Sequence, residues 1–516
     1  MTAEVASHTK QVFLVAEGSI GPVERDRGGN WYEPLGVWVH PEIQSYMDSM
    51  PEAERLLVER SFPLSFAVAT AYNAQIADVD SHQLWPQSFY ENDGTQKLLE
   101  AAEVNPSIGD PFAVVRGQPP YGVIPFSLTY FDELQSAVAA LEDMIATDSP
   151  SAVNLAPYLD ALRRAYTPDE LRTSDLPYLH EADTAWVHLD PDTELIFFAE
   201  PTESYSDNLA ALRDDDSIRR WAIDVANANG LGPWKNFFEF RLMQKVDFVV
   251  NQEEVDAIRA TTRNHFVRPG DAPVPASLEF RRLLLASGHG AHPARTAKNY
   301  PNFNDIRNDP NGGYKNVLYT NMIEEGLDSQ AVPILMHAFG TDFMSRFPKE
   351  RLMRGSTLRI IGHEENHSYR VHKGNLALEE LKATIDGFVA VDEAGRFKDE
   401  IDTVCLSTVG GALFIRYKTA KARAEGDTRT ERGYKAYHTG DTIMMNYLAA
   451  AGAFIDVNGH YGDIDFDNFR TAMRDLCKEL EQVREGTVSA SDFQAAWGAE
   501  EIWDSFKVLP PGVELH

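Results

Sequence analysis

The chain has 516 residues, of which 43% are hydrophobic and 10% aromatic, so it is long enough to form two lobes with substantial cores. Its 79 acidic and 47 basic residues give a formal net charge of −32 at pH 7. A surface this acidic repels nucleic-acid phosphates and anionic lipids and argues against both as partners. Two cysteines form no disulfide framework, and no apolar run suits a membrane helix or an export signal, so we expect a cytoplasmic protein.

The first 215 residues are expected to form a mixed α and β lobe. Apolar runs bounded by turn residues predict strands at 122–131, 185–190 and 194–201. Apolar residues at helical spacing predict a helix at 131–145.

The pattern becomes mainly helical from about residue 216. Amphipathic helices are predicted at 217–230, 253–266, 376–391, 440–454 and 466–486. The stretch 288–316 is crowded with Asn, Pro and Gly and is too long for a simple turn, so it is a candidate functional loop. We expect an α+β fold in which residues 216–500 form a mainly helical lobe and 501–516 a C-terminal tail.

The segment GHEENH carries the clearest chemical signal. His363 and His367 lie four residues apart, so on an α-helix both imidazoles project from one face and can share a metal ion. Glu364 follows the first histidine, where its carboxylate can accept a proton from an attacking water. Without a third ligand, the same pattern also fits a surface helix with two solvated histidines.

The third ligand is expected from the helix at 376–391, because a catalytic zinc uses three protein ligands and keeps one position open. This helix carries the adjacent pair Glu379 and Glu380. Spacing alone leaves open whether one of them faces a metal or both belong to a solvated helix face.

Together, IGHEENHSY and LEELKATIDGF resemble the motifs of the dipeptidyl-peptidase III family of zinc exopeptidases and its bacterial and plant Nudix-fused relatives. Most animal and fungal members carry one more residue between the histidines, whereas this chain has the five-residue HExxH form. The resemblance implies one zinc ion per chain, bound by His363, His367 and Glu380. It also implies that Glu379 orients a histidine ligand.

Three further segments resemble the family in the same order. ESYSD implies that Tyr205 polarises the scissile carbonyl, and NYPNFNDIRNDPNGGYKNV implies that Asn299 and Asn302 bind the substrate main chain. KAYHTGDTIMMNYLAAAGAF implies that His438 contacts the substrate or the transition state.

Two positions depart from the family pattern. Thr384 stands where members usually have an acidic residue near the metal, and Thr442 stands where some members have an arginine that contacts substrate. We expect zinc binding to tolerate both changes, whereas the substrate preference is left open.

The resemblance implies a metallopeptidase that releases dipeptides from the N-terminus of short peptides, in an active-site cleft between two lobes. A monomer or a dimer is expected, without nucleic-acid or membrane partners. Three alternatives stay open: a zinc hydrolase of a non-peptide amide or ester, a non-catalytic peptide-binding member, and a protein with purely structural zinc.

Overall fold

The computed structural model describes residues 30–32, 37–80, 104–203, 236–267, 277–291, 296–300, 315–367, 375–426 and 428–498, together with isolated positions that include Phe303, Trp503 and Phe506. The predicted lobe boundary at 215 and the predicted helix at 217–230 lie outside these residues.

The chain divides into two compact units. The first takes in Met1–Val246 and Glu279–Thr320, and the second takes in Asp247–Leu278 and Asn321–His516. The chain therefore leaves the first unit, returns to it once and leaves it again.

In the described residues of the first unit, seven strands form one sheet. Its strands are β1 (Asn30–Tyr32), β2 (Val37–Val39), β5 (Leu195–Glu203), β6 (Asn236–Lys245), β7 (Ser277–Gly288), β8 (Ala297–Tyr300) and β9 (Lys315–Tyr319). The order along one path is β1–β2–β7–β6–β5, and β9 pairs with both β7 and β8. Side chains on both faces of β6 are buried over its first eight residues. The two charged residues among them, Glu239 and Arg241, form a buried ion pair at 2.8 Å.

Helices and one hairpin complete the first unit. They are α1 (Ile43–Ser49), α2 (Glu52–Asp80), the hairpin β3 (Ala113–Arg116) and β4 (Gly122–Pro125), α3 (Phe126–Thr129), α4 (Phe131–Ile145), α5 (Pro150–Ala165) and α6 (Leu176–Val187). Helix α2 packs against α4 and β6. Ser149 caps α5 by accepting a hydrogen bond from the Ala152 amide, 2.9 Å away.

A pair of buried carboxyl groups lies in this unit. Asp183 on α6 and Glu200 on β5 are 1% and 2% exposed, and one oxygen of each makes no hydrogen bond to any residue that the structure describes. Burial raises the pKa of Asp183 to about 7. Burial and the charge of Asp183 raise the pKa of Glu200 well above its ordinary value. Two facing carboxyl groups in this setting are stable when one keeps its proton.

The second unit is mainly helical. Its elements are α7 (Gln252–Phe266), α8 (Thr320–Gly326), a π-helical turn (Leu327–Ala331), α9 (Val332–Phe339), α10 (Thr341–Met344), α11 (Lys349–Asn366), α12 (Leu376–Glu393), α13 (Ile401–Glu425), α14 (Thr428–Ala450), the hairpin β10 (Phe454–Val457) and β11 (His460–Ile464), α15 (Phe466–Arg484) and α16 (Ala490–Trp497). Helix α7 begins with a capping box in which the side chains of Asn251 and Glu254 each accept the other's amide.

Glycines allow α11 and α12 to approach closely. A Cβ atom added to Gly362 would lie 2.6 Å from the carbonyl oxygen of Gly387, and a Cβ on Gly387 would meet the Gly362 backbone equally closely. Only hydrogen at both positions permits this contact. Gly440 plays a similar part between α14 and α12, since its Cβ would lie 3.0 Å from the carbonyl oxygen of Ala377.

Most of the predicted elements that can be compared are confirmed, including the helix at 131–145 and the strand at 194–201. The strand predicted at 185–190 is wrong, because residues 185–187 end α6, where Trp186 packs in the core. The run at 122–131 is strand only over Gly122–Pro125 and is helical beyond. Among the helices of the described chain, none combines the length and hydropathy that crossing a bilayer requires.

Candidate metal centre

The HExxH segment occupies the end of α11. His363 and Glu364 lie within the helix, and His367 is its C-cap residue with helical backbone angles. The four-residue spacing therefore places both imidazoles on one side, as predicted. Gly362, next to His363, makes the close contact with Gly387 of α12, which brings the two helices together at the level of the histidines.

Three side chains converge at this contact. The Nε2 atoms of His363 and His367 are 2.9 Å apart. One carboxylate oxygen of Glu380, Oε2, lies 3.4 Å from the first and 3.8 Å from the second. Ligand atoms about 2.1 Å from a tetrahedral zinc are separated by about 3.4 Å, so these spacings match a shared metal ion.

The Glu380 oxygen supports this match. Glu380 is 7% exposed, and its Oε2 atom makes no hydrogen bond to any described residue. Burial would raise the pKa of this carboxyl, but His367, His363 and a hydrogen bond from Tyr437 hold it below its ordinary value. A buried anionic oxygen beside two imidazole nitrogens is suited to bind a cation. His363, His367 and Glu380 thus fit a divalent metal ion.

The outer nitrogens of the two histidines have different neighbours. His363 Nδ1 lies 3.1 Å from the hydroxyl of Thr384, one turn beyond Glu380. His367 Nδ1 lies 4.0 Å from Glu379, whose carboxylate is paired at 2.6 Å with the buried ammonium of Lys382. One imidazole therefore has a neutral partner and the other an anionic one.

Glu364 lies beside the same cluster. Its side chain is half-buried, and desolvation by the surrounding protein raises its pKa to about 7. The charge of His363 opposes this rise, that of Glu380 adds to it, and that of Arg359 opposes it. The next residue, Glu365, is directed elsewhere and forms a buried bidentate pair with Arg259 on α7, at 2.9 and 3.1 Å.

Helix α14 carries the predicted substrate contact His438 and the departure Thr442. His438 is 4% exposed, and its Nε2 lies 3.4 Å from a guanidinium nitrogen of Arg416 on α13. Thr442, one turn later, donates to the His438 carbonyl at 2.6 Å and accepts from the Trp503 indole at 3.1 Å. Its hydroxyl is therefore engaged inside the unit.

Sequence reasoning did not find three groups of this centre. Tyr437 is one of the groups that lower the pKa of the Glu380 carboxyl, after His367 and His363. Burial raises the pKa of Asp441 to about 7, and the charges that act on it include Arg359, His363 and Glu380. Arg359 bonds through Nε to Ser407 at 3.1 Å. The four-residue spacing of Arg359 and His363 on one helix was a usable signal for Arg359. On α14, Tyr437 directly precedes His438 and Asp441 follows it by three residues, and neither belongs to a motif of its own.

The other predicted residues are not brought to this cluster by the described part of the structure. Tyr205 and Asn302 lie outside the described residues. Asn299 belongs to β8 of the first unit, where its backbone pairs with Asn316 of β9, and its side chain lies outside the described atoms. The roles assigned to these three residues stay predictions.

Two histidines and a glutamate with a neighbouring glutamate form the kind of site that zinc hydrolases use. No family model matches the sequence, and no curated protein sequence is significantly similar to it. Solved structures are similar. DPP III from Caldithrix abyssi matches with a TM-score of 0.64 at 15% identity, over 89% of this chain and 94% of that one. Dipeptidyl-peptidase III from Corallococcus sp. strain EGB matches with a TM-score of 0.59 at 17% identity, over 83% and 78%. This chain has the dipeptidyl-peptidase III fold, which confirms the resemblance at the level of the fold.

Proposed function

We propose that this protein is a zinc-dependent metallopeptidase that releases dipeptides from the N-terminus of short peptides. The observation that carries the proposal is the convergence of His363, His367 and the unsatisfied Glu380 oxygen beside Glu364. The dipeptidyl-peptidase III fold supports the choice of a peptide substrate.

Each residue of the site would have its own role in the reaction. His363, His367 and Glu380 bind the ion, while Thr384 and Glu379 orient the two imidazoles. When bound, zinc polarises a water molecule and lowers its pKa towards about 7. Glu364 accepts the proton of the attacking water on a carboxylate oxygen and returns it to the leaving amine nitrogen.

The substitution Glu364→Gln tests this proposal. We expect hydrolysis of a dipeptidyl arylamide to fall by about 10²- to 10⁴-fold while the zinc content stays unchanged, because the amide cannot accept the proton. Glu350→Gln, at an exposed position of the same helix, is the matched control and should keep full activity. Unchanged hydrolysis by zinc-loaded Glu364→Gln would show that Glu364 is not the base.

Chelation separates a catalytic ion from a structural one. We expect zinc removal to abolish hydrolysis while the far-ultraviolet circular dichroism keeps its helical signal, because the helix contacts at Gly362, Gly387 and Gly440 do not involve the ion. Unfolding on chelation would instead indicate purely structural zinc.

The position of Thr442 favours one second candidate, a zinc hydrolase of non-peptide amides. Thr442 is 1% exposed, and its hydroxyl is bonded to His438 and Trp503, so it offers no charge to a peptide. A panel of blocked amides beside dipeptidyl arylamides distinguishes the two. Faster hydrolysis of the blocked amides would support the second candidate.

A further inference from the structure

We propose that Lys382 is a positioning residue of the metal centre. Its ammonium group binds both the Glu379 carboxylate and the backbone at the end of α11, and this double contact fixes the direction of the His367 imidazole. The proposal rests on the proposed function, because it presupposes a metal ion on His363, His367 and Glu380. The role requires no contact of Lys382 with the ion or the substrate and no proton transfer.

Lys382 is a buried cation that joins two helices. It lies on α12 and is 1% exposed. Its Nζ atom donates to Oε1 of Glu379 at 2.6 Å and to the main-chain carbonyl of Asn366 at 2.9 Å. Glu379 is on the same helix, whereas Asn366 is the last residue of α11. A buried ammonium needs such partners to compensate its charge, so its position between them is well defined.

The end of α11 is where a metal ligand needs support. His363 lies inside the helix, but His367 is the C-cap residue, and its amide reaches the Glu364 carbonyl only at 3.4 Å. The last carbonyl groups of a helix lack partners within the helix and carry partial negative charge. The Lys382 ammonium binds one of them, on Asn366, directly before His367. It therefore holds the turn that carries this ligand.

The same ammonium also fixes a neighbour of the imidazole ring. Oε1 of Glu379, the oxygen that Lys382 binds, lies 4.0 Å from Nδ1 of His367. The outer nitrogen of a metal-binding histidine generally faces a group of this kind, which orients the ring. Because the ammonium binds this oxygen, it determines where the carboxylate stands beside the ring. Lys382 thus acts on His367 through the backbone and through Glu379.

Contacts between α11 and α12 follow one another in order along the two helices. They pair Gly362 with Gly387, His363 with Thr384, Asn366 with Lys382 and His367 with Glu379. The glycine contact is between backbones and does not depend on any side chain. Loss of the Lys382 ammonium would therefore keep the helices together at the glycines and release the end of α11 that carries His367.

A purely structural role for Lys382 is the competing explanation. Removal of one partner from a buried ion pair destabilises a protein in either case, so a lower melting temperature does not separate the two explanations. A structural role leaves the folded protein with the zinc affinity of the wild type. A positioning role lowers that affinity and changes the arrangement of ligands around the ion.

The test compares Lys382→Met with Lys315→Met. Lys315, on β9 of the first unit, is also 1% exposed, and its ammonium binds Glu279 at 2.8 Å and the Leu189 carbonyl at 3.1 Å. It is therefore a matched control. Zinc affinity is measured by competition with a chromophoric chelator, under conditions where circular dichroism shows both variants folded. We expect Lys382→Met to bind zinc about 10- to 100-fold more weakly than the wild type, and Lys315→Met to bind it equally well.

A second measurement reports ligand geometry and does not depend on turnover. The visible absorption spectrum of cobalt-substituted protein depends on the number and arrangement of the ligands. We expect the cobalt bands of Lys382→Met to differ from those of the wild type in position or intensity, and those of Lys315→Met to be unchanged.

A double variant covers the case in which Lys382→Met does not fold. Lys382→Met combined with Glu379→Gln leaves no buried carboxylate without its cation. It should bind zinc more weakly than Glu379→Gln alone, because the hold on the Asn366 carbonyl is also lost. Equal zinc affinities of these two variants would overturn the proposal.

The outcomes also separate this proposal from the proposed function. Wild-type zinc affinity and a wild-type cobalt spectrum in folded Lys382→Met would overturn the role of Lys382 alone. A wild type that binds zinc but does not hydrolyse a dipeptidyl arylamide would contradict the peptidase function, while the affinity comparison would still decide the role of Lys382. A wild type that binds no zinc would overturn both.

Discussion

Both units bury a carboxyl oxygen that no described residue hydrogen-bonds, but the surroundings differ. In the first unit Asp183 and Glu200 face one another, and the pKa of each is raised. In the second unit Glu380 faces two imidazoles and a phenol, and its pKa is lowered. The first arrangement favours binding of a proton, and the second favours binding of a metal ion. The neighbours of a buried carboxyl group, and not its burial alone, thus determine which cation it holds.

The largest expected effect comes from Glu380→Gln, which removes the charge of one carboxyl in this comparison. Metal affinity should fall by more than about 100-fold, because the loss of a direct ligand exceeds the 10- to 100-fold effect typical of outer partners. Equilibrium dialysis against zinc, together with the arylamide assay, measures the change. The matched control is Glu200→Gln, which should leave zinc affinity unchanged, since Glu200 belongs to the other unit.

The second largest expected effect is a change with pH in the free energy of unfolding of the first unit. Because the folded-state pKa of Asp183 is about 7 against an ordinary value of 3.8, the folded chain holds a proton that the unfolded chain releases. The free energy of unfolding should therefore fall as pH rises from about 4 to about 7, by about 1.4 kcal/mol per pH unit for one proton. Hydrogen exchange of the amides of β5, corrected for its intrinsic rate, reports this slope.

The variant Asp183→Asn tests whether Asp183 holds this proton, because an amide has the shape of the protonated acid but does not titrate. The slope between pH 4 and 7 should become shallower in this variant. A slope equal to that of the wild type would show that the proton is held elsewhere.

The smallest effect is expected from Thr384→Val, which removes the hydroxyl 3.1 Å from His363 Nδ1. Zinc affinity should fall by about tenfold, at the low end for an outer partner, because a neutral hydroxyl polarises an imidazole less than a carboxylate does. Competition with a chromophoric chelator measures this change. Thr384→Ser keeps the hydroxyl and should bind zinc like the wild type; equal affinity in Thr384→Val would mean that the contact has no influence on the metal.

The sequence predicts the candidate centre better than it predicts the sheet. A four-residue spacing on one helix is a local property, so His363 and His367 could be placed together without tertiary information. The choice between Glu379 and Glu380 could not be made in this way, because it depends on how α12 is rotated against α11. In the structure Glu380 approaches the imidazole Nε2 atoms, while Glu379 pairs with Lys382.

Long-range pairing explains why the sheet was harder to predict. Strand β7 lies between β2, which precedes it by more than 200 residues, and β6. A single lobe boundary, placed at one position in the sequence, cannot describe a chain that leaves the first unit and later returns to it. The strand prediction at 185–190 is wrong because the apolar run around Trp186 has the length of a short strand, and periodicity cannot separate a strand from a helix end over so few residues.

The contact between Gly362 and Gly387 has a consequence for how this protein can vary. Coordination bonds tolerate deviations of about 0.2 Å in length. Where two helices touch through glycines, no side chain lies between them that could repack and change their separation. The distance between the axes of α11 and α12 therefore sets how far the Glu380 carboxylate lies from the two imidazoles. In the proposed zinc site, substitutions elsewhere in the helical unit should keep zinc affinity unchanged only where they preserve that distance.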